Sequence, residues 1–137
     1  MVQIAVTGNM GCGKTTICQL MENEGVPVYY SDSRAKQLMN KNESLMDSIK
    51  ERFGEESYHD GLLNRKWIAS IVFDDATALN DLNNLVHPVV QKDYLNWVSQ
   101  QTKDIIAYES AILIEHGNQG NFDVVILDDV RLIIWLE

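Results

Sequence analysis

VQIAVTGNMGCGKT, residues 2–15, joins a β-branched run to a glycine-rich loop, and its reading decides the fold. Val2–Thr7 predicts a strand. Gly8 to Thr15 then fits G-x-x-x-x-G-K-[ST], the spacing of a phosphate-binding loop. Glycines let such a loop wrap so that successive backbone N–H groups face phosphate oxygens. The helix that follows adds the positive end of its dipole. Lys14 places an ammonium on the outer phosphates, and the Thr15 hydroxyl is a ligand for Mg²⁺. Chance produces this spacing roughly once in a few hundred chains of this size. Here it also sits between a strand and a helix, as the chemistry requires. Ile17, Leu20 and Met21 fall at helical spacing, and Gly25 stops the helix. Cys12 reads as a small residue within the loop.

Working outward, Val26–Tyr30 (VPVYY) predicts the next strand. Ligands in open parallel sheets sit at the carboxyl ends of the strands. Asp32 follows the second strand as the loop follows the first. A carboxylate there can face a terminal phosphate and accept the proton of an attacking hydroxyl. The same residue can equally be an N-cap for a helix starting at Ser33 and running to about Met39, with Ser31 as a competing cap. The residues alone leave both readings open.

The middle of the chain reads as helical. Leu45, Met46, Ile49 and Phe53 form a stripe closed by Gly54, and Glu55–Asn64 is a polar turn region containing Asp60-Gly61. Trp67, Ile68, Ile71 and Val72 make a second stripe. Leu79, Leu82, Leu85 and Val86 make a third, expected to end at His87-Pro88. Pro88 is expected to open a new helix carrying Val90, Tyr94, Trp97 and Val98. Strand signals return at Ile105–Tyr108, which ends at Glu109, and at Val124–Leu127, which ends at Asp128-Asp129. Ala111–Ile114 is ambiguous. Asp128-Asp129 reads either as a solvated strand end or as an Mg²⁺-organising pair, and His87 as a helix-end cap or a substrate contact. The order βαβ, helical block, strands predicts an α/β fold: a parallel sheet flanked by helices, with a helical insertion.

Composition narrows the field further. The chain has 137 residues, enough for one domain, with 45% apolar and 23% charged residues. No apolar run reaches the length of a membrane span. The start lacks the features of a signal peptide. Two cysteines are too few for a disulfide scaffold. A soluble cytoplasmic protein is the expectation. The net charge is −9. Residues 1–66 hold 8 basic and 9 acidic side chains, residues 67–137 hold 3 and 11. That balance argues against a nucleic-acid partner.

The segments IAVTGNMGCGKTT (4–16), GVPVYYSDSRAKQL (25–38), ERFGEE (51–56), DGLLNRKWIASIVF (60–73), LNNLVHPVVQ (82–91) and ESAILIEHG (109–117) together resemble the dephospho-coenzyme A kinase family over about residues 3–127. The resemblance implies a P-loop nucleoside-triphosphate-hydrolase fold with a core of 1–32 and 104–137. It implies a helical substrate-binding region of about 33–103, with dephospho-coenzyme A held between the two. It implies ATP as phosphoryl donor, Mg²⁺ as cofactor and the ribose 3′-hydroxyl of dephospho-coenzyme A as acceptor. ATP would lie on Gly8, Asn9, Met10, Gly11, Cys12, Gly13, Lys14, Thr15 and Thr16, with Thr15 on the metal. Lys14 and Asp32 would be catalytic, Asp32 as the base. Asp32, His87, Pro88 and Glu115 would contact the acceptor.

Several positions depart from the family pattern. Tyr30 stands where the first acid of an Asp-x-Asp step is usual, Ala111 where proline is usual, and Ile114 where phenylalanine is usual. An arginine-bearing helical lid, a final strand and an adenine-contacting segment are expected after 124–127 and are not visible. The closing RLIIWLE looks more like the family's terminal helix. Either the chain is truncated or altered after about Asp129, or a stretch is missing between Val130 and Arg131. A sheet ending at its fourth strand would leave an unpaired edge, which favours the second. The residues alone also leave room for three rivals: a nucleoside or nucleotide kinase, a P-loop ATPase or switch using Asp128-Asp129, and a nucleotide binder without turnover.

Overall fold

The run Val2–Thr7 forms β1, and its central residues are fully enclosed: Ala5 and Val6 are 0% exposed. A strand buried on both faces reads as a continuous apolar run because no side faces water. The structure, a computed structural model, describes residues 1–7, 14–110, 122–127 and 132–135, with the side chains at 14–16, 127 and 132–135 left out of the description. The chain divides into two compact units, Met1–Asp32 with Tyr94–Glu137, and Ser33–Asp93.

The first unit is built on a five-stranded sheet. After β1 come α1 (Lys14–Asn23), β2 (Val28–Tyr30) and the start of α2 (Ser31–Lys41). The end of α5 (Ala76–Ser99), β5 (Ile105–Ser110), β6 (Val124–Leu127) and β7 (Leu132–Trp135) complete it. The two-residue strands β3 (Tyr58–His59) and β4 (Leu62–Leu63) belong to the second unit. The sheet order is β2-β5-β1-β6-β7. β1 is parallel to β5 on one side and to β6 on the other. β7 runs antiparallel to β6, pairing Leu127 with Leu132 and Val124 with Trp135.

This last pairing corrects the reading of the terminal run as a helix: it is a strand over 132–135 that pairs with the side of β6 away from β1. Leu-Ile-Ile-Trp is rich in the β-branched and aromatic residues that suit a strand, and β6 offers it an open row of backbone groups. Glu109 likewise lies within β5, which runs on to Ser110.

An aromatic cluster packs one side of the β2–β5 pair. Tyr29 and Tyr108 are register partners and stack at 5.5 Å with 11° between rings. Tyr94 meets Tyr108 edge-on at 4.8 Å, and Phe122 lies 5.2 Å from it. Each such ring pair adds about 0.5–1.5 kcal/mol beyond area burial. The Tyr94 hydroxyl donates to Gln3 Oε1 at 2.8 Å, which ties the cluster to β1. Among the described side chains of α1, Cys18 is buried at 0% exposure, while Leu20 is 60% exposed. The stripe expected from Ile17, Leu20 and Met21 is therefore not the one that is buried, and the small side chain of Cys18 suits the close approach of helix and sheet.

In the second unit, asparagines and an aspartate start the helices. Asn42 accepts from Leu45 N at α3 (Glu43–Phe53), and Asn64 from Trp67 N at α4 (Arg65–Val72). Asp75 accepts from Ala78 N as α5 begins. Such caps contribute about 1 kcal/mol each. Gly54 closes α3 at φ 97°, a left-handed conformation that a side chain would strain. Leu45, Ile49 and Phe53 are the buried stripe of α3.

The polar region 55–64 holds more structure than turn residues suggest. A single 3₁₀ turn, Glu55–Ser57, leads into a hairpin of β3 (Tyr58–His59) and β4 (Leu62–Leu63). Asp60 and Gly61 connect them with φ of 52° and 79°, as a two-residue type I′ turn demands. The hairpin is fastened to α2: the Tyr58 hydroxyl donates to the Met39 carbonyl at 2.6 Å, and Leu63 N donates to Asn40 Oδ1 at 2.8 Å.

The expected break at His87-Pro88 does not occur. α5 is one helix of 24 residues with Pro88 inside. An interior proline costs about 3 kcal/mol, through a lost hydrogen bond and a clash with the preceding turn. The buried positions Ala78, Val86, Val90 and Tyr94 keep one face across the proline, so side-chain burial outweighs that cost.

Two outcomes follow in the second unit. Burial lifts the Tyr58 phenol from 10.0 to about 12, because the phenolate would lose hydration. A phenol harder to ionise when folded gives stability that is whole below pH 10 and lost as pH rises to about 12. Denaturant titrations across that window will show Tyr58→Phe flattening part of the alkaline loss. Ser57 Oγ is fully buried with no hydrogen-bond partner among the described residues. Ser57→Ala removes that desolvation penalty and will raise stability by about 1 kcal/mol in the same assay.

Candidate active site

Parallel register brings three strands to one carboxyl edge. Val6 of β1, Glu109 of β5 and Tyr30 of β2 stand level across the sheet. One step further, Thr7 stands beside Ser110, and both hydroxyl residues are buried. β1 ends there, and α1 begins at Lys14. The connecting residues Gly8, Asn9, Met10, Gly11, Cys12 and Gly13 lie outside the described residues, as do the side chains of Lys14, Thr15 and Thr16. The backbone of Lys14–Thr16 forms the first turn of α1, which carries no acidic residue to oppose an anion.

β2 passes straight into α2. The helix begins at Ser31, so Asp32 is a first-turn residue and not the N-cap of a helix starting at Ser33. Ser31 is buried and Asp32 is exposed. β1 and β2 are separated only by β5. At about 4.8 Å per strand, the carboxyl ends of β1 and β2 lie roughly 10 Å apart.

The face shared by Tyr30 and Glu109 also meets α1. The Tyr30 hydroxyl donates to the Glu22 carboxylate. Burial comes first among the causes that hold this phenol far above its ordinary value. The hydrogen bond to Glu22 and the charges of Glu22, Cys18 and Glu109 push the same way. Tyr30 is therefore a neutral donor at neutral pH and cannot act as the first carboxylate of an Asp-x-Asp step. Oε1 of Glu109 is shut off from solvent.

The other expected residues are distributed as follows. His87 and Pro88 lie within α5 in the second unit, His87 half-buried and Pro88 exposed. Ala111, Ile114, Glu115, Asp128-Asp129 and Arg131 lie outside the described residues. The structure brings Asp32, Glu109 and the two ends of the phosphate-loop segment to one sheet edge. It also brings in Tyr108, which the sequence reading missed: its hydroxyl hydrogen-bonds with Ser31. The one sequence signal for it is its place directly before Glu109 at a strand's carboxyl end.

A glycine-rich segment of sequence between a central parallel strand and a helix, in a mostly parallel sheet, marks a P-loop nucleoside-triphosphate-binding fold. The model of the dephospho-CoA kinase family matches residues 2–133. A dephospho-CoA kinase of Porphyromonas gingivalis is 36% identical over 94% of this chain and 64% of its own length. One of Salinibacter ruber is 35% identical over 99% of this chain and 72% of its own. The crystal structure of TT1252 from Thermus thermophilus superimposes with a TM-score of 0.81 at 30% identity, over 92% of this chain and 64% of that one. The chain belongs to the dephospho-CoA kinase family and spans about two thirds of the length of these relatives. Among the described residues, no helix is long and apolar enough to cross a membrane.

Proposed function

We propose that this chain transfers the γ-phosphoryl group of ATP to the ribose 3′-hydroxyl of dephospho-coenzyme A, giving coenzyme A and ADP. The observation that carries this reading is the exposed Asp32 in the first turn of α2, at the same sheet edge as the end of β1 with only β5 between the two strands. The 3′-oxygen bonds to the γ-phosphorus as the bond to the β,γ-bridging oxygen breaks. Asp32 accepts the hydroxyl proton. Lys14 and the loop N–H groups offset charge on the transferred group, and the N-terminus of α1 adds to them.

Mg²⁺, when bound, neutralises charge between the outer phosphates. Thr15 offers the hard oxygen donor that this ion prefers. Mg²⁺ keeps several waters and takes phosphate oxygens as ligands, so few protein donors would be needed beside Thr15. His87, Pro88 and Glu115 are assigned to the acceptor on the family pattern. The reaction belongs in the cytoplasm, with ATP as donor.

Incubation with Mg²⁺-ATP and dephospho-coenzyme A will yield coenzyme A. Asp32→Asn will lower kcat by about 10²–10⁴-fold while leaving the KM for ATP little changed. Near wild-type turnover of that variant would sink the role given to Asp32. Phosphorylation of a nucleoside but not of dephospho-coenzyme A, or ATP hydrolysis without an acceptor, would sink the reaction itself.

A further inference from the structure

The aromatic cluster reaches the candidate site through a single hydroxyl. Tyr108 is clamped by rings: Tyr29 stacks on it at 5.5 Å, Tyr94 meets it at 4.8 Å and Phe122 lies at 5.2 Å. A ring packed on several sides keeps its phenolic oxygen at a fixed point. That oxygen is hydrogen-bonded with the hydroxyl of Ser31, and the charge of Asp32 reaches it. Ser31 is the first residue of α2 and is buried; Asp32 is the second and is exposed. Successive helical residues point about 100° apart. Pinning Ser31 against the cluster therefore sets the direction in which Asp32 leaves the helix.

From this geometry we infer that Tyr108 is a positioning residue for Asp32, holding the first turn of α2 through Ser31 so that the carboxylate faces outward at the carboxyl edge of the sheet. This rests on the reading of Asp32 as the proton acceptor. Burial raises the Tyr108 phenol above its ordinary value, the charges of Asp32 and Glu109 add to that, and the Ser31 hydrogen bond opposes it. The hydroxyl thus stays protonated, and its interaction with Ser31 persists at neutral pH. Removing it leaves a buried serine hydroxyl without its acceptor at the point where the helix starts.

Tyr108→Phe in the full chain removes the hydroxyl and keeps the ring. Steady-state kinetics with Mg²⁺-ATP and dephospho-coenzyme A will show kcat about tenfold lower, with both KM values within about twofold of wild type. Ser31→Ala will give a similar loss, and the double variant will fall no more than about twofold below either single one. In an Asp32→Asn background, Tyr108→Phe will change the residual rate by less than about twofold, because nothing remains to position. An unchanged kcat in Tyr108→Phe overturns the inference, and so does an equal loss in the Asp32→Asn background. Should Tyr108→Phe fail to fold, Ser31→Ala and its Asp32→Asn double variant carry the same test. If the wild-type chain makes no coenzyme A, the proposed reaction is wrong, and amide hydrogen exchange then decides the positioning. Exchange about tenfold faster in the first turn of α2 of Tyr108→Phe supports it, and unchanged exchange overturns it.

Discussion

The first unit depends on β1 being hydrogen-bonded along both sides. β5 pairs with it from Val2 to Thr7, and β6 from Ile4 to Thr7. With both faces covered as well, this strand has no freedom to slip, since a shift of one residue would turn every side chain to the wrong face. The fixed register makes three parallel strands end together. That common end brings the start of α1 and the start of α2 to the same edge. The juxtaposition at this edge is therefore a property of backbone pairing before it is a property of any side chain.

Much of this was legible in the residues. Val2–Thr7 and Val124–Leu127 were readable because buried parallel strands carry runs rich in β-branched residues. The motif at Gly8–Thr15 was readable because phosphate chemistry demands specific residues at fixed spacing, and Gly8–Gly13 lie outside the described residues. Asp32 was legible as a candidate but not as a decision: a residue after a strand can cap a helix or enter it, and the buried Ser31 settles that by starting α2 itself. What escaped was set by tertiary contact. The single α5 ran through Pro88 because one buried face continues on both sides of it, which no local rule reveals. The strand at 132–135 depended on β6 having an edge to offer. Tyr108 looked like an ordinary strand aromatic, since its hydroxyl partner lies far away in sequence.

The acidic balance of the chain takes a more local meaning in the structure. Glu22 is engaged by the Tyr30 hydroxyl, and Glu109 stands level with Tyr30 within β5. These carboxylates lie on the face of the sheet that meets α1. Asp32, by contrast, is exposed in the first turn of the next helix, where the helix dipole favours its charge. Carboxylates thus stand both as packing partners and as exposed charges, separated by burial. Tyr30 sharpens that division, because a phenol held neutral can anchor Glu22 without adding another negative charge beside the loop.

Cys18 gives the molecule a built-in reporter. It is 0% exposed on the face of α1 that meets the sheet, four residues beyond Lys14. An alkylating reagent can reach such a sulfur only when the helix lifts away, so with Cys12 replaced the labelling rate becomes a clock for that excursion. A ligand that grips the start of α1 slows the clock in proportion to how firmly it is held. Occupancy of the loop is thereby readable by mass alone, in a chain that need never turn over.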